Sequence, residues 1–393
     1  MPDAVLSLNA GSSSIKFALF EIDTADPRRV AHGQIEKIGE APHFIAFSAT
    51  GVTLADRLWP AAPRFADLLD VLLDWVTHHL GADRLVAVGH RVVHGGRTFD
   101  RAVRTDDAVL QALDRLTPLA PLHQPHNLAP IRAIASLRPG LPQVACFDTS
   151  FHHGLAPVVT RFALPREYED AGIRRYGFHG LSYEFIARRL RMLNPALAAG
   201  RVIAAHLGNG ASLCAMQDGR SVDTTMGFTA LDGLMMGTRC GTIDPGVILH
   251  LERQMGMRPA DVEEMLYHRA GLLGVSGIAS DMRTLLASPD PRAREALELF
   301  VFRIAREAGA LISTLGGLDA LVFTAGIGEH APEIRSAVAT RLAWLDLSLD
   351  AEANIGGIGR ISHASSRVAV LVVPTDEEAM IAHHTLDVVG VSG

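Results

Sequence analysis

The 393-residue chain is 48% hydrophobic and 20% charged, with 36 Lys+Arg against 43 Asp+Glu for a net charge of −7. That length exceeds what one hydrophobic core usually serves and predicts two α/β domains, while scattered charge of acidic balance argues against nucleic acid or an anionic membrane as partner. Three cysteines without paired spacing (Cys146, Cys214, Cys240) and no stretch near the ~20 apolar residues of a membrane helix point to a cytoplasmic protein without a structural metal.

Near the N-terminus an apolar strand runs straight into Gly11, Ser12, Ser13 and Ser14, and a second, alternating strand carrying Lys16 follows over 15–20. Small residues there let backbone N–H groups and hydroxyls crowd around an anion, with Lys16 as a nearby point charge. The stretch reads as a phosphate loop or as a Ser-rich β-turn. It is not a Walker A loop, because no Gly-Lys-Ser/Thr opens a helix. A third strand is expected over 30–38, loop and edge strand over 40–63, and a core helix over 65–80 closed by Gly81.

A short buried strand over 85–89 delivers Gly-His-Arg-Val-Val-His-Gly-Gly, with His90, Arg91 and His94 just beyond its end, where α/β proteins place ligand contacts. Arg91 suits a carboxylate or phosphate, or else a structural ion pair. A helix over 106–116 leads to a loop in which His123 and His126 flank Pro125, which makes a shared zinc site a poor reading. Asn127 is expected to cap a short helix ending at 137. The strand 144–147 then ends at Asp148, a magnesium or catalytic position, or else an N-cap or Asx turn.

The second half opens with Arg174-Arg-Tyr-Gly-Phe-His-Gly, which sets His179 at a helix entrance, and Ser182 is expected to cap that helix through 193. Residues 201–217 then repeat the opening plan: an apolar strand, the small-residue turn Gly208-Asn209-Gly210-Ala211-Ser212, and another apolar strand. Gly11 and Gly208 lie half the chain apart, which suggests a duplicated domain with two phosphate loops. Next come a Gly-rich loop with Arg239 at its tip, Pro245 opening a helix, helices over 245–255 and 259–270, a loop at 280–283, and a long helix over 291–315. A strand over 319–324 enters the turn Ala325-Gly-Ile-Gly-Glu-His330, which lacks the third glycine of a dinucleotide fingerprint. A nucleotide base or ribose suits it better than NAD. The last strand, 368–373, leads to Glu377 at the mouth of the final helix. Two small-residue loops, two loop arginines, a histidine and carboxylates at strand ends are what phosphoryl transfer needs.

In this order, NAGSSSIK, GHRVVHGG, LAPLH, FDTSFH, RRYGFHG, HLGNGAS, MGTRCGTIDP, TAGIGEH and TDEEAMIA resemble the acetate kinase family over essentially the whole chain. The resemblance implies an α/β fold of two duplicated actin-like (ribonuclease H-like) βββαβαβα domains with an active-site cleft between them. An N-terminal domain over 1–150 would be completed by the C-terminal helix near 383–393, and the nucleotide-binding and dimerisation domain would span 151–382. It also implies a homodimer that transfers the ATP phosphoryl group directly and reversibly to acetate, giving ADP and acetyl phosphate for acetyl-CoA biosynthesis. Mg²⁺ is the implied cofactor, with Mn²⁺ as a substitute.

Carried over by motif, the metal residues fall on Asn9 and Glu377, and the catalytic set on Arg91, Asp148, His179 and Arg239. The acyl pocket falls on Val93, Leu122 and Phe178, with Arg91 and His123 beside it. ATP contacts fall on Ser12, Ser14 and Lys16, on His206, Leu207, Gly208, Asn209 and Gly210, on Asp281, Met282 and Arg283, and on Gly326, Ile327, Gly328, Glu329 and His330. Two positions depart from the family pattern. Ala230 stands where many members have proline in the acyl pocket, and His330 where asparagine is usual in the nucleotide loop. The rival readings are a kinase of propionate or another short-chain acid, and an actin- or chaperone-type module that hydrolyses ATP without a carboxylate substrate.

Overall fold

The computed structural model describes residues 3–22 and 27–390. Strand β1 (Asp3–Ala10) pairs antiparallel with β2 (Ile15–Ile22) in register from Asp3 opposite Ile22 to Ala10 opposite Ile15. The turn between them is closed by the Gly11 N–H donating to the Ser14 carbonyl at 2.8 Å. Both strands read as nearly continuous apolar runs because both faces are covered. Leu6, Leu8, Phe17 and Leu19 pack on Leu68, Leu69 and Leu72 of the helix Phe65–Leu80, and Val5, Ala18 and Phe20 on Ala382 and Leu386 of the helix Glu377–Val389.

The first sheet continues with β3 (Arg28–Glu36), β4 (His43–Ser48), β5 (Thr53–Leu58), β6 (Arg84–Val92), β7 (Val103–Arg104) and β8 (Gln143–Phe147), in spatial order β5-β4-β3-β2-β1-β6-β8-β7. The second contains β9 (Arg201–Leu207), β10 (Ala211–Gln217), β11 (Arg220–Thr224), β12 (Ala320–Thr324), β13 (Gly359–Arg360) and β14 (Ala369–Val372), in the order β11-β10-β9-β12-β14-β13. Each has the same heart: a three-stranded antiparallel meander, then two strands running parallel to the first of the three. That is β3-β2-β1-β6-β8 in one sheet and β11-β10-β9-β12-β14 in the other. The duplication suggested by the two glycine turns is therefore one of topology, and each half is an actin-like domain.

The chain divides into two compact units, Met1–Phe151 with Asp376–Gly393, and His152–Thr375. The return to the first unit comes at Asp376 and not near 383, because the whole helix Glu377–Val389 packs on the first sheet as one piece; residues 391–393 lie outside the described residues. Gly89 permits this close seat, since a Cβ there would lie 2.1 Å from Thr385 Oγ1 and 2.5 Å from Ile381 Cγ2.

Several local expectations change. Residues 40–63 form two strands that extend the meander, and β11 was not anticipated. Strand β6 runs to Val92, so His90 and Arg91 lie within it. Asn127 sits inside the helix Gln124–Leu137 rather than capping it, and Ser182 lies inside Gly180–Leu193, whose N-cap is His179. Met282 and Arg283, expected in a loop, open the short helix Met282–Ala287, and residues 325–330, expected as a turn, form another.

Candidate active site

In the first unit, β1, β6 and β8 end side by side, and their last residues carry the site. Asn9 is the penultimate residue of β1, Arg91 that of β6, and Asp148 follows β8 directly, its N–H donating to the Val92 carbonyl at 3.1 Å. The Arg91 guanidinium grips the Asp148 carboxylate with Nε at 2.9 and 3.1 Å and Nη2 at 2.5 Å, and its Nη1 donates to Asn9 Oδ1 at 3.2 Å. Glu377, first residue of its helix, lies 3.9 Å from Arg91 Nε and 3.5 Å from Asn9 Nδ2.

Burial opposes charge on both sides of this cluster. Asp148 is only 2% exposed and Arg91 21%, yet Asp148 and then Glu377 more than offset the desolvation of Arg91 and raise its pKa. Glu377 fares differently: burial pushes its carboxyl up to about 7, with Arg91 working against the shift and Asp148 and Glu378 reinforcing it. These oxygens are hard ligands of the kind Mg²⁺ takes. Among the described residues no group of three or more His, Cys, Asp or Glu forms a ligand cluster.

Behind the cluster, Asn127 is buried and donates Nδ2 to the Ala10 carbonyl at 2.7 Å while its Oδ1 accepts from Val93 N at 2.9 Å. One side chain thus ties the glycine-serine turn to the segment after Arg91. Val93 is buried and Leu122 lies at the surface, with His123 half-buried at the N-cap of Gln124–Leu137. Lys16, exposed, opens onto a cavity of about 270 Å³ lined also by Arg29, His32, Gln34 and Glu378. Ser12 is exposed and Ser14 half-buried in the turn.

In the second unit, His179 adopts φ 57°, a left-handed conformation rare for a side chain of its size. Its Nδ1 lies 2.8 Å from Ser212 Oγ, and its ring stacks on His206 with centroids 4.2 Å apart. His206 Nδ1 in turn lies 2.9 Å from Ser182 Oγ, which is bonded to Thr375 Oγ1 at 2.8 Å. Arg239 donates Nη1 to the Ala230 carbonyl at 2.8 Å. The turn 208–210 is where these residues meet: a Cβ on Gly210 would lie 3.2 Å from His179 Nε2 and 3.6 Å from Arg239 Nη2.

Other predicted nucleotide residues crowd the same turn. A Cβ on Gly208 would sit 3.7 Å from that of Ala325, and Gly237, whose N–H donates to the Asn209 carbonyl, faces the Ser280 carbonyl. Four loops therefore form one rim. Within it Leu207 and Met282 are buried, Arg283 and His330 exposed, and Asp281 caps its helix by accepting from Thr284 N and Oγ1 at 2.9 Å. Glu329 turns back to accept from Ala325 N at 2.8 Å and Thr375 N at 3.2 Å. Phe178 is buried, and its carbonyl accepts from His152 Nε2 at 3.0 Å. Sequence reasoning overlooked Asn127, Tyr183 and Ser182 as organising residues. A polar side chain on the inner face of an otherwise apolar helix was the signal available for each.

Two copies of an actin-like sheet, one with a buried arginine–carboxylate cluster at its strand ends and the other with a histidine and an arginine over a glycine turn, define a phosphotransferase of the actin-like class. Residues 4–383 match the sequence model of the acetokinase family. The chain is 56% identical over 390 residues to an acetate kinase of Rhodopseudomonas palustris, covering 98% of both chains. It is 50% identical to one of Nitrobacter hamburgensis over 387 residues, 98% of this chain and 96% of that one. Among solved structures, a propionate kinase from Francisella tularensis superposes with TM-score 0.91 and the Porphyromonas gingivalis acetate kinase with 0.88, each 36% identical over 98% of this chain and 100% of the other. The chain belongs to the acetokinase family. Among the described residues no helix is long and apolar enough to cross a membrane.

Proposed function

We propose that the protein catalyses reversible, Mg²⁺-dependent transfer of the ATP γ-phosphoryl group to acetate, giving acetyl phosphate and ADP, as a cytoplasmic homodimer. The observation that carries the reading is the Arg91–Asp148–Asn9–Glu377 cluster. It presents a fixed guanidinium to an anion and, beside it, oxygen donors of the right hardness for magnesium.

A short-chain carboxylic acid has a pKa near that of Glu and is ionised at pH 7, so its attack on phosphorus needs no general base. Asp148 accordingly serves to orient Arg91, whose Nε and Nη2 donate to its carboxylate. Arg91 in the first unit, and His179 and Arg239 in the second, are each donors suited to a transferred phosphoryl group, where preorganised charge contributes most. Asn9 and Glu377 would hold the ion, which supplies neutralisation of phosphate charge when bound. The serines of the first turn, Lys16 and the rim around residues 208–210 hold the nucleotide; Val93, Leu122, His123 and Phe178 hold the acyl chain.

A second reading, propionate as the preferred acid, is favoured by Ala230 and by the likeness to the propionate kinase fold. Alanine there leaves room for part of a proline ring, and one methylene in such a pocket is worth only ~1–3 kcal/mol. Purified protein with acetate and Mg-ATP should yield acetyl phosphate trapped as its hydroxamate. Hydrolysis of ATP at the same rate without any carboxylate would refute the reading, and a higher kcat/KM for propionate than for acetate would move it to the second acid.

A further inference from the structure

A buried line of three side chains in the second unit runs from Tyr183 through Ser212 to His179. We infer that Tyr183 and Ser212 are positioning residues that hold His179 with its proton on Nε2, so that it meets the phosphoryl oxygens as a neutral N–H donor. The last step rests on the proposed reaction; the tautomer does not.

Tyr183 is fully buried, and burial raises its phenol pKa well above 10, so the phenol keeps its hydrogen and must place it. Among the described contacts the phenol oxygen lies 2.5 Å from Ser212 Oγ, which is placed to receive the phenol hydrogen. Ser212 is fully buried as well, and having accepted from Tyr183 it directs its own hydrogen at His179 Nδ1, 2.8 Å away. An imidazole that accepts at Nδ1 carries its proton on Nε2. That nitrogen is turned to Gly210, on the side where Arg239 Nη2 also lies.

Run in the opposite direction, the line would put the proton on Nδ1 and aim a lone pair of Nε2 at an anionic oxygen. The rest of the packing opposes ring rotation: His179 lies nearly parallel to His206, at 16°, and His206 is itself fixed through Ser182 to Thr375. The left-handed backbone of His179 is strained and persists only where its surroundings over-determine it.

The test compares long-range ¹H–¹⁵N spectra of histidine-labelled wild type and Tyr183→Phe at pH 7.5, with His179→Gln assigning the signals, alongside kcat and KM for both substrates. The expected wild-type ring has an unprotonated Nδ1 and a protonated Nε2. In Tyr183→Phe that single pattern is lost and kcat falls about tenfold with both KM values unchanged; Ser212→Ala gives the same split. A wild-type His179 protonated on Nδ1, or on both nitrogens, overturns the inference, as does a Tyr183→Phe enzyme with the wild-type pattern and full kcat. Should Tyr183→Phe fail to fold, the wild-type spectrum still decides. A protonated Nε2 in a protein that forms no acetyl phosphate would sink the proposed reaction and leave the tautomer standing.

Discussion

Removing the carboxylate of Asp148 tests whether that group acts on the substrate or through Arg91. The Arg91 fork spends Nε and Nη2 on Asp148, at 2.9, 3.1 and 2.5 Å, and Asp148 is almost wholly buried. In Asp148→Ala the guanidinium keeps its charge, loses its anchor and swings toward Glu377, 3.9 Å from Nε. Breaking a buried pair costs about 3–5 kcal/mol, and the 21% exposure of Arg91 brings the figure toward the lower end. Loss of one preorganised donor in the transition state costs roughly 10²–10³ in kcat. Arg91→Ala and Asp148→Ala should therefore each lower kcat by about that factor, read as hydroxamate formation at saturating acetate and Mg-ATP. The decisive variant is the double one. If Asp148 works only by aiming Arg91, the pair acts as a unit and the double variant loses no more than the worse single. Losses that multiply, to roughly 10⁴ or beyond, would show that Asp148 has a task of its own and refute the assignment.

Gly210→Ala places a methyl 3.2 Å from His179 Nε2 and 3.6 Å from Arg239 Nη2, so kcat should drop at least about tenfold with little change in Tm; a fully active variant would mean that neither side chain needs that space. Asn127→Ala strands Val93 N and the Ala10 carbonyl, both buried, and should cost about 2–4 kcal/mol in urea unfolding. A loss under ~0.5 kcal/mol would show that water replaces the amide. Burial depresses His90 and His152 to about 4, whereas the unfolded chain protonates near 6.5, so their contribution is complete above pH 6.5 and is lost as pH falls from there toward 4. At ~1.4 kcal/mol per pH unit each contributes about 3 kcal/mol over that window. His90→Gln, which keeps a donor for Gln143 Oε1, should flatten the fall; an unchanged pH profile would show that His90 titrates normally.

What could be read without coordinates was whatever depends on near neighbours in the chain. Helical spacing located the helix Phe65–Leu80, an N1 proline the start of the helix Pro245–Arg253, and the paired glycine turns at 11 and 208 announced the duplication. Strand edges were less legible. β4 is only six residues long, β5 is exposed at every position but Ala55, and β11 carries half-buried polar residues, so only pairing with a neighbour makes strands of them. The site shows the same division. Residue types and motif order named Arg91, Asp148, His179 and Arg239, yet nothing local said that Asp148 would clasp Arg91 57 positions away, or that Asn9 would face Glu377 across 368. Asn127 and Tyr183 carried no motif at all, and their importance came from what they touch. Hydrophobic period and turn chemistry are local properties of a chain, legible one residue after another. A hydrogen bond between buried side chains from distant strands exists only once the sheets have closed, and that closure alone decided which polar groups became a site.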